Sequence, residues 1–378
     1  MRLSVEPAGR TEFGPGVLGE LPEFVSSLGH TRVFVATDRG LRATGIVERV
    51  EKILASAGLE HAVHEDVGPN PSTTELDCGA ARLRGFGDAV VVALGGGSAL
   101  DAAKGISLLA GNPSAAAADA DRLWDAGDGL PLIAVPTTSG TGAETNGFGV
   151  IEDVCARRKV YIGHSSVRPK IAVLDPELTL GLPAKGTAAT GLDALVHGVE
   201  SLSSRRSSAI SAAYAAQAIS LVGRWLPVAY RDGSDLEARS QLMLGAHLAG
   251  HALTLSGLGL VHGIGHALTA HTGTPHGVAL AAVFEEVMEF SADMAAEAYE
   301  TTARALRVTP SPDWAGAAIE AVREISAAIE VKRPLRELGV SRDGIPAIAA
   351  SAIADAVTKN APRLPTEPEV VELLQGVY

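Results

Sequence analysis

Two rhythms of apolar residues run along this chain, and one gives way to the other near residue 182. In the first half, short runs rich in Val, Leu, Ile and Ala stand at residues 32–37 (RVFVAT), 61–67 (HAVHEDV), 89–94 (AVVVAL) and 132–135 (LIAV). Their length and their Gly, Pro and Asp borders predict strands. Between them, residues 46–57, 75–84 and 99–109 bring apolar positions round at the helical interval. A run such as 89–94, apolar at every position, must be buried on both faces. Its alternation with helices therefore predicts a parallel sheet covered on both sides. Residues 113–121 (PSAAAADAD) predict a surface loop or a short helix.

Beyond Leu182-Pro183 no run reads as a strand. Helical periodicity covers residues 188–202, 209–229, 236–253, 260–270 and 278–298, with Gly, Pro and Ser between them. The pattern predicts an α/β domain over 1–181 and an all-helical domain over 182–378, and it contains no internal repeat. Two domains also suit a chain of 378 residues at ~150 residues per domain.

Composition narrows the picture. Hydrophobic residues make up 46% but aromatics only 4%, so the core must be aliphatic. The formal net charge of −13 argues against nucleic acid and anionic membranes as partners, and no basic run exceeds the triplet at 157–159. Two cysteines, Cys78 and Cys155, have no metal-type spacing and fit a reducing cytoplasm. No apolar stretch follows Met1 as in a signal peptide, and no segment offers the ~20 apolar residues of a membrane helix. A cytoplasmic location is expected.

Two groups of residues carry candidate chemistry. Asp193 and His197 lie four apart in residues 191–198 (GLDALVHG), and His262 and His266 repeat that spacing in 259–266 (GLVHGIGH), with His276 following in 275–277 (PHG). Four residues is just over one helical turn, so each pair shares a face. If the helices pack side by side, one carboxylate and several imidazoles can hold a divalent ion with open positions. A lone helical histidine is usually a core residue, and spacing alone leaves that alternative open.

The second group is the strand–Gly95-Gly96-Gly97-Ser98–helix junction, where backbone and free helix N–H groups can approach a phosphate. Asp101, in the first turn, also suits the helix dipole without any ligand. Thr137, Thr138 and Thr141 add hydroxyls in a second Gly-rich loop, and Asp38 ends the first strand. There it can accept ribose hydroxyls and repel a 2′-phosphate, or simply cap a helix.

Taken together, residues 95–104 (GGGSALDAAK), 136–144 (PTTSGTGAE), 175–178 (DPEL), 190–197 (TGLDALVH), 259–266 and 275–277 resemble, in order and spacing, the iron-dependent alcohol dehydrogenase family of the dehydroquinate synthase-like superfamily. The resemblance runs from residues 13–16 (FGPG) to Asn360. It implies an α/β dinucleotide-binding domain with a parallel sheet, followed by an all-α metal- and substrate-binding domain. Asp193, His197, His262 and His276 match the metal ligands, with Fe2+ expected and Zn2+ the alternative. His266 matches a neighbouring active-site histidine that is not a ligand. Gly95, Gly96, Gly97 and Ser98 match the pyrophosphate site, with Asp101 taken alongside. Asn70, Thr137, Thr138, Thr141 and Lys159 match further NAD(H) contacts, and Asp38 matches the position that selects NAD over NADP. The chain departs from the family at Asn146, at Thr269, at residues 360–363 (NAPR) and at Arg205-Arg206.

The implied activity is hydride transfer between NAD(H) and a small aldehyde or its primary alcohol, with the metal as Lewis acid on the substrate oxygen and His266 supplying the proton. The rivals are a zinc-type glycerol or polyol-phosphate dehydrogenase and an NAD-dependent sugar-phosphate cyclase. The cyclase is expected to carry Glu in place of Asp193 and several cations for a phosphate. A homodimer or larger homo-oligomer is expected from the resemblance and from the exposed-strand hazard of residues 2–7.

Overall fold

The computed structural model describes residues 9–153 and 158–378, so residues 2–7, Cys155 and Arg157 lie outside the described residues. The chain forms two compact units, one of residues 1–138 and 143–181 and the other of residues 139–142 and 182–378.

The first unit contains β1 (Arg10–Phe13), α1 (Leu21–Ser27), β2 (Arg32–Ala36), α2 (Arg39–Arg42), α3 (Ile46–Ser56), β3 (Glu60–His64), α4 (Thr73–Phe86), β4 (Val90–Gly95), α5 (Gly97–Gly111), β5 (Leu132–Pro136), β6 (Phe148–Asp153), β7 (Arg158–Gly163) and β8 (Ile171–Leu174). Six strands form one sheet in the order β1-β8-β5-β4-β2-β3, every neighbouring pair parallel. β4 lies in the middle, with Val33 opposite Val90 on one side and Val91 opposite Leu132 on the other. All six of its residues are buried, which is why its run reads apolar throughout. Apolar clusters lie on both faces of the sheet: Val91 and Ala93 join one, Val90 and Val92 the other.

β1, β6, β7 and β8 are not among the strands that the apolar pattern predicts. β1 (RTEF) is an exposed edge strand with one aromatic and three polar residues, so it leaves no apolar signature. β6 and β7 pair antiparallel as a ribbon outside the main sheet, and Glu152 of β6 also forms an isolated bridge to Ser72. Residues 117–125, in the stretch that reads as loop or short helix, form a 3₁₀ segment. Cys78 on α4 is free and exposed.

The second unit contains α6 (Ala184–Ser203), α7 (Ala209–Arg231), α8 (Leu236–Ser256), α9 (Leu260–Thr272), α10 (His276–Ala281), α11 (Phe284–Ser291), α12 (Ala296–Ala305), α13 (Trp314–Ala328), α14 (Ile345–Ala354) and α15 (Glu367–Gly376). No strand occurs in it among the described residues. Its core is aliphatic and rich in alanine, with Ala215, Ala218 and Ile219 of α7 and Ala249 and Ala252 of α8 fully buried. The single helix expected over 278–298 is instead α10, α11 and the start of α12. Val283 leaves helical geometry at φ −131°, ψ −4°. Residues 279–284 are all 0% exposed, so every position is apolar and the pattern holds no phase that could reveal a break.

Two contacts fix the frame around α6. The buried Arg239 donates to Thr187 Oγ1 (2.7 Å), the Leu182 carbonyl (3.0 Å) and the Gly233 carbonyl (2.9 Å), tying the start of α6 to α8. A methyl on Gly277 would lie 2.0 Å from the Ala189 carbonyl oxygen, so only glycine lets α10 sit this close to α6. Among the described residues no single helix is long and apolar enough to cross a membrane; the bent pair α8–α9, at 103°, passes by composition only.

Candidate functional site

α6 carries Asp193 and His197 one turn apart on a buried face, and α9 carries His262 and His266 in the same relation. His276 is the first residue of α10, held there by the close approach at Gly277. Asp193 Oδ1 lies 3.1 Å from His197 Nε2, 3.4 Å from His262 Nε2 and 3.7 Å from His276 Nε2. Asp193, His262 and His276 each offer a donor atom within 4.8 Å of the others. His197 faces the same carboxylate oxygen without joining that tightest group, and its ring stacks on His262 with centroids 4.8 Å apart. The Asp193, His197 and His262 side chains are at most 5% exposed, while that of His276 is 35% exposed. The cluster is therefore closed on the α6–α9 side and open beside His276.

These donors fit a cation. Asp193 Oδ1 and His262 Nε2 are buried and make no hydrogen bond, and buried polar groups rarely stay unpaired without a missing partner. Burial pushes His197 down to about 4, and desolvation lowers the half-buried His276 as well, which favours neutral rings able to act as ligands. Burial works against the Asp193 charge, but the surrounding imidazoles hold its carboxyl below the usual range.

His262 differs from its neighbours. Burial pushes it down, yet Asp193 and Glu200 outweigh that and raise it, so a cation bound at Nε2 would take the place of a proton. Glu200 is buried on α6; its Oε2 meets His262 Nδ1 at 2.6 Å and its Oε1 accepts from the Val261 backbone N–H at 2.7 Å. The same carboxylate thus grips the start of α9 and the far nitrogen of His262, aiming Nε2 at Asp193. Sequence reasoning passes over Glu200, although its place at i+7 from Asp193 puts it on the same helical face.

His266 sits beside the cluster. Its ring stacks on His276 with centroids 5.4 Å apart, and its Nδ1 lies 2.8 Å from Asp355 Oδ2. Asp355 follows α14 and caps the next 3₁₀ turn by accepting from the Val357 N–H. Burial raises its carboxyl, but the contact with His266 prevails and lowers it. Asp355 stands 89 residues from His266, so no local spacing could announce the pair. Arg205 and Arg206, which depart from the family pattern, are exposed just beyond α6.

In the α/β unit, a cavity of about 700 Å³ opens between the C-terminal ends of β2 and β3 and the start of α5. Gly96, Gly97 and Ser98 line it, as does Asp38. Gly95 has φ 145°, and a methyl there would lie 2.7 Å from Ala99 Cβ, so glycine is required. No side chain caps the N-terminus of α5, whose N–H groups are left for an anion. Asp38 caps α2, its Oδ1 accepting from the Leu41 N–H at 2.8 Å, and the residue also walls the cavity.

The other expected nucleotide contacts do not line this cavity. Asp101 turns away from it, its Oδ2 accepting from the Val150 N–H at 3.0 Å and its Oδ1 3.4 Å from Lys104 Nζ. Burial pushes both Asp101 and Lys104 toward neutrality. Lys104, fully buried, also donates to Asn146 Oδ1 at 2.8 Å, which gives the family-divergent Asn146 a structural task. Asn70 Oδ1 accepts from Lys159 Nζ at 3.0 Å, so those two residues are together. The Thr137 N–H donates to the Gly95 carbonyl, and Thr138 lies beside Gly96, while Thr141 belongs to the helical unit.

Comparison with known proteins covers nearly the whole chain. Residues 8–176 match the model of iron-containing alcohol dehydrogenases, and residues 187–378 match that of the C-terminal part of the Fe-containing alcohol dehydrogenase family. The chain is 34% identical over 374 residues to lactaldehyde reductase of Escherichia coli K12, covering 97% of each. The crystal structure of a 1,3-propanediol oxidoreductase superposes with a TM-score of 0.95 at 31% identity, covering 100% of both chains. A sulfoacetaldehyde reductase from Bifidobacterium kashiwanohense, solved in complex with NAD+, superposes with a TM-score of 0.90 at 27% identity, over 100% of this chain and 99% of that one.

Proposed function

We propose that this chain, which belongs to the iron-containing alcohol dehydrogenase family, holds a divalent metal with Asp193, His197, His262 and His276 and works on an aldehyde or alcohol at the side open beside His276. It is a metal-dependent oxidoreductase interconverting aldehydes and alcohols, and its family implies iron and NAD(H) in general. The observation that carries the site assignment is the convergence of Asp193 Oδ1 and His262 Nε2, both buried and without a hydrogen bond, with the half-buried His276. Three imidazoles and a carboxylate suit Fe2+, with Zn2+ as the competing ion.

The residues divide the work. Once bound, the metal supplies a Lewis acid and the nicotinamide exchanges the hydride. The Asp193, His197 and His262 side chains close the inner wall, which keeps water from the reacting oxygen. Asp355 engages His266 Nδ1 and leaves Nε2 to give a proton to the developing alkoxide or take it back. In the α/β unit, the bare N-terminus of α5 and Gly96–Ser98 receive the pyrophosphate, and Asp38 receives the adenosine ribose. Asn70, Thr137, Thr138, Thr141 and Lys159 complete the NAD(H) contacts, with Asp101 bracing the loop from behind. The enzyme is cytoplasmic and forms a homodimer or larger homo-oligomer.

The test is NADH oxidation against an aldehyde panel, with neutral and anionic members, before and after chelation and with Fe2+ or Zn2+ restored. Turnover that vanishes with the metal and returns with one of these ions supports the reading. Full turnover in metal-free protein overturns it.

A further inference from the structure

The cavity of the α/β unit has a charge pattern that the function above leaves unused. Its lining holds four carboxylates, of Asp38, Glu65, Asp66 and Glu75, and a single cation, Arg39. Glu75 is committed to the N-terminus of α4, accepting from the Ser72 and Gly68 N–H groups at 2.7 and 3.0 Å. Glu65 pairs with Arg42, outside the lining. Asp66 is left facing Arg39, whose Nη2 donates to its Oδ1. The backbones of Asp38 and Asp66 form an isolated antiparallel bridge, so the ends of β2 and β3 set the two acids opposite each other. The Arg39 side chain is 77% exposed and that of Asp66 49% exposed, which puts their ion pair at the open rim.

An arginine just past this strand is the residue type with which dinucleotide folds receive a 2′-phosphate. That phosphate is close to a dianion at neutral pH and needs a free cation. Among the described residues, the one cation lining this cavity is paired with Asp66.

We propose that Asp66 is a specificity-determining residue for the nicotinamide cofactor: it neutralises Arg39 and so withholds the one group able to accept a 2′-phosphate. Asp38 repels the phosphate directly; Asp66 removes its counter-charge. The inference rests on the reading that this cavity takes the adenosine end of NAD(H). An exposed ion pair is weak and exchangeable, so removing Asp66 frees the guanidinium without disturbing the backbone that places it.

The experiment is equilibrium binding of NADH and of NADPH, followed by nucleotide fluorescence, on the full chain. It compares wild type, Asp66→Asn, Asp38→Asn, the double Asp38→Asn/Asp66→Asn, and Asp66→Asn combined with Arg39→Ala. Asp66→Asn should raise the NADPH-to-NADH affinity ratio about tenfold, the effect of one unit charge at close range near a surface. The double acid variant should exceed either single one, and the gain should shrink with added salt. Arg39→Ala in the Asp66→Asn background should return the ratio to that of wild type. A ratio that ignores Asp66→Asn, or a gain that survives Arg39→Ala, overturns the inference while leaving the cavity assignment intact. Wild type that binds neither nucleotide overturns both.

Discussion

The two units solve their binding problems in opposite ways. In the helical unit, the site is made of side chains from α6, α9 and α10 that converge on the Asp193 carboxylate. Two of its donor atoms, Asp193 Oδ1 and His262 Nε2, are buried without a hydrogen bond, which suits a bound cation. In the α/β unit, the cavity is floored by backbone at Gly96 and Gly97, and its charged rim is open to solvent. The first kind of site demands its ligand; the second merely accepts one. Loss of metal should therefore cost far more than loss of any one nucleotide contact.

The largest expected effect sharpens that contrast. Exhaustive chelation should abolish turnover while NADH binding, read by fluorescence, persists, because the cavity residues lie in the other unit. If nucleotide binding vanishes with the metal, the two sites are not independent. Next is His266→Ala, which should lower the rate ~10²–10⁴-fold and alter the pH profile of kcat while metal content holds. Asp355→Asn should move the same profile with a smaller loss of rate; an unchanged profile in both variants would make the dyad a packing feature. Smaller again is Glu200→Gln, which should weaken metal affinity ~10–100-fold, seen by titrating metal-free protein with Co2+ and following its visible bands. Affinity equal to that of wild type would show that the carboxylate does not orient His262.

Two stability predictions follow the same contrast. Gly277→Ala should lower the unfolding free energy by about 1–3 kcal/mol, because the new methyl meets backbone that cannot easily move. Thermal or urea unfolding checks this, and an unchanged midpoint would mean that α10 shifts freely. In the α/β unit, His64 is buried, both ring nitrogens lack a hydrogen-bond partner, and burial lowers its pKa from 6.5. The unfolded chain then takes up a proton near pH 6.5 that the folded chain refuses. This contribution to stability is present in full above that pH and declines as the pH falls below it. His64→Leu should flatten the slope of stability below about pH 6.5; an identical slope in both proteins would rule the residue out.

How much of this was legible depended on whether a residue's role is local. β4 shows itself because both its faces are buried, so all six positions are apolar. β1 does not, because its exposed edge needs no apolar residue. Asp193 with His197 and His262 with His266 announce themselves through the helical turn, and the structure brings all four together with His276. Glu200 obeys the same periodicity and could have been read with them. Asp355 could not, because only the packing of α14 on α9 brings it to His266. Arg39 and Asp66 belong to different strand ends and meet only through the parallel pairing of β2 and β3.

On the proposed reading, one histidine of α9 holds metal and the other moves a proton. Metal content by elemental analysis of His262→Ala and His266→Ala, purified side by side with wild type, tests it most directly. His262→Ala should emerge nearly metal-free, since the wild-type Nε2 faces Asp193 without a hydrogen bond, and His266→Ala should keep wild-type stoichiometry. Equal loss of metal from both variants, or full retention by His262→Ala, would contradict it.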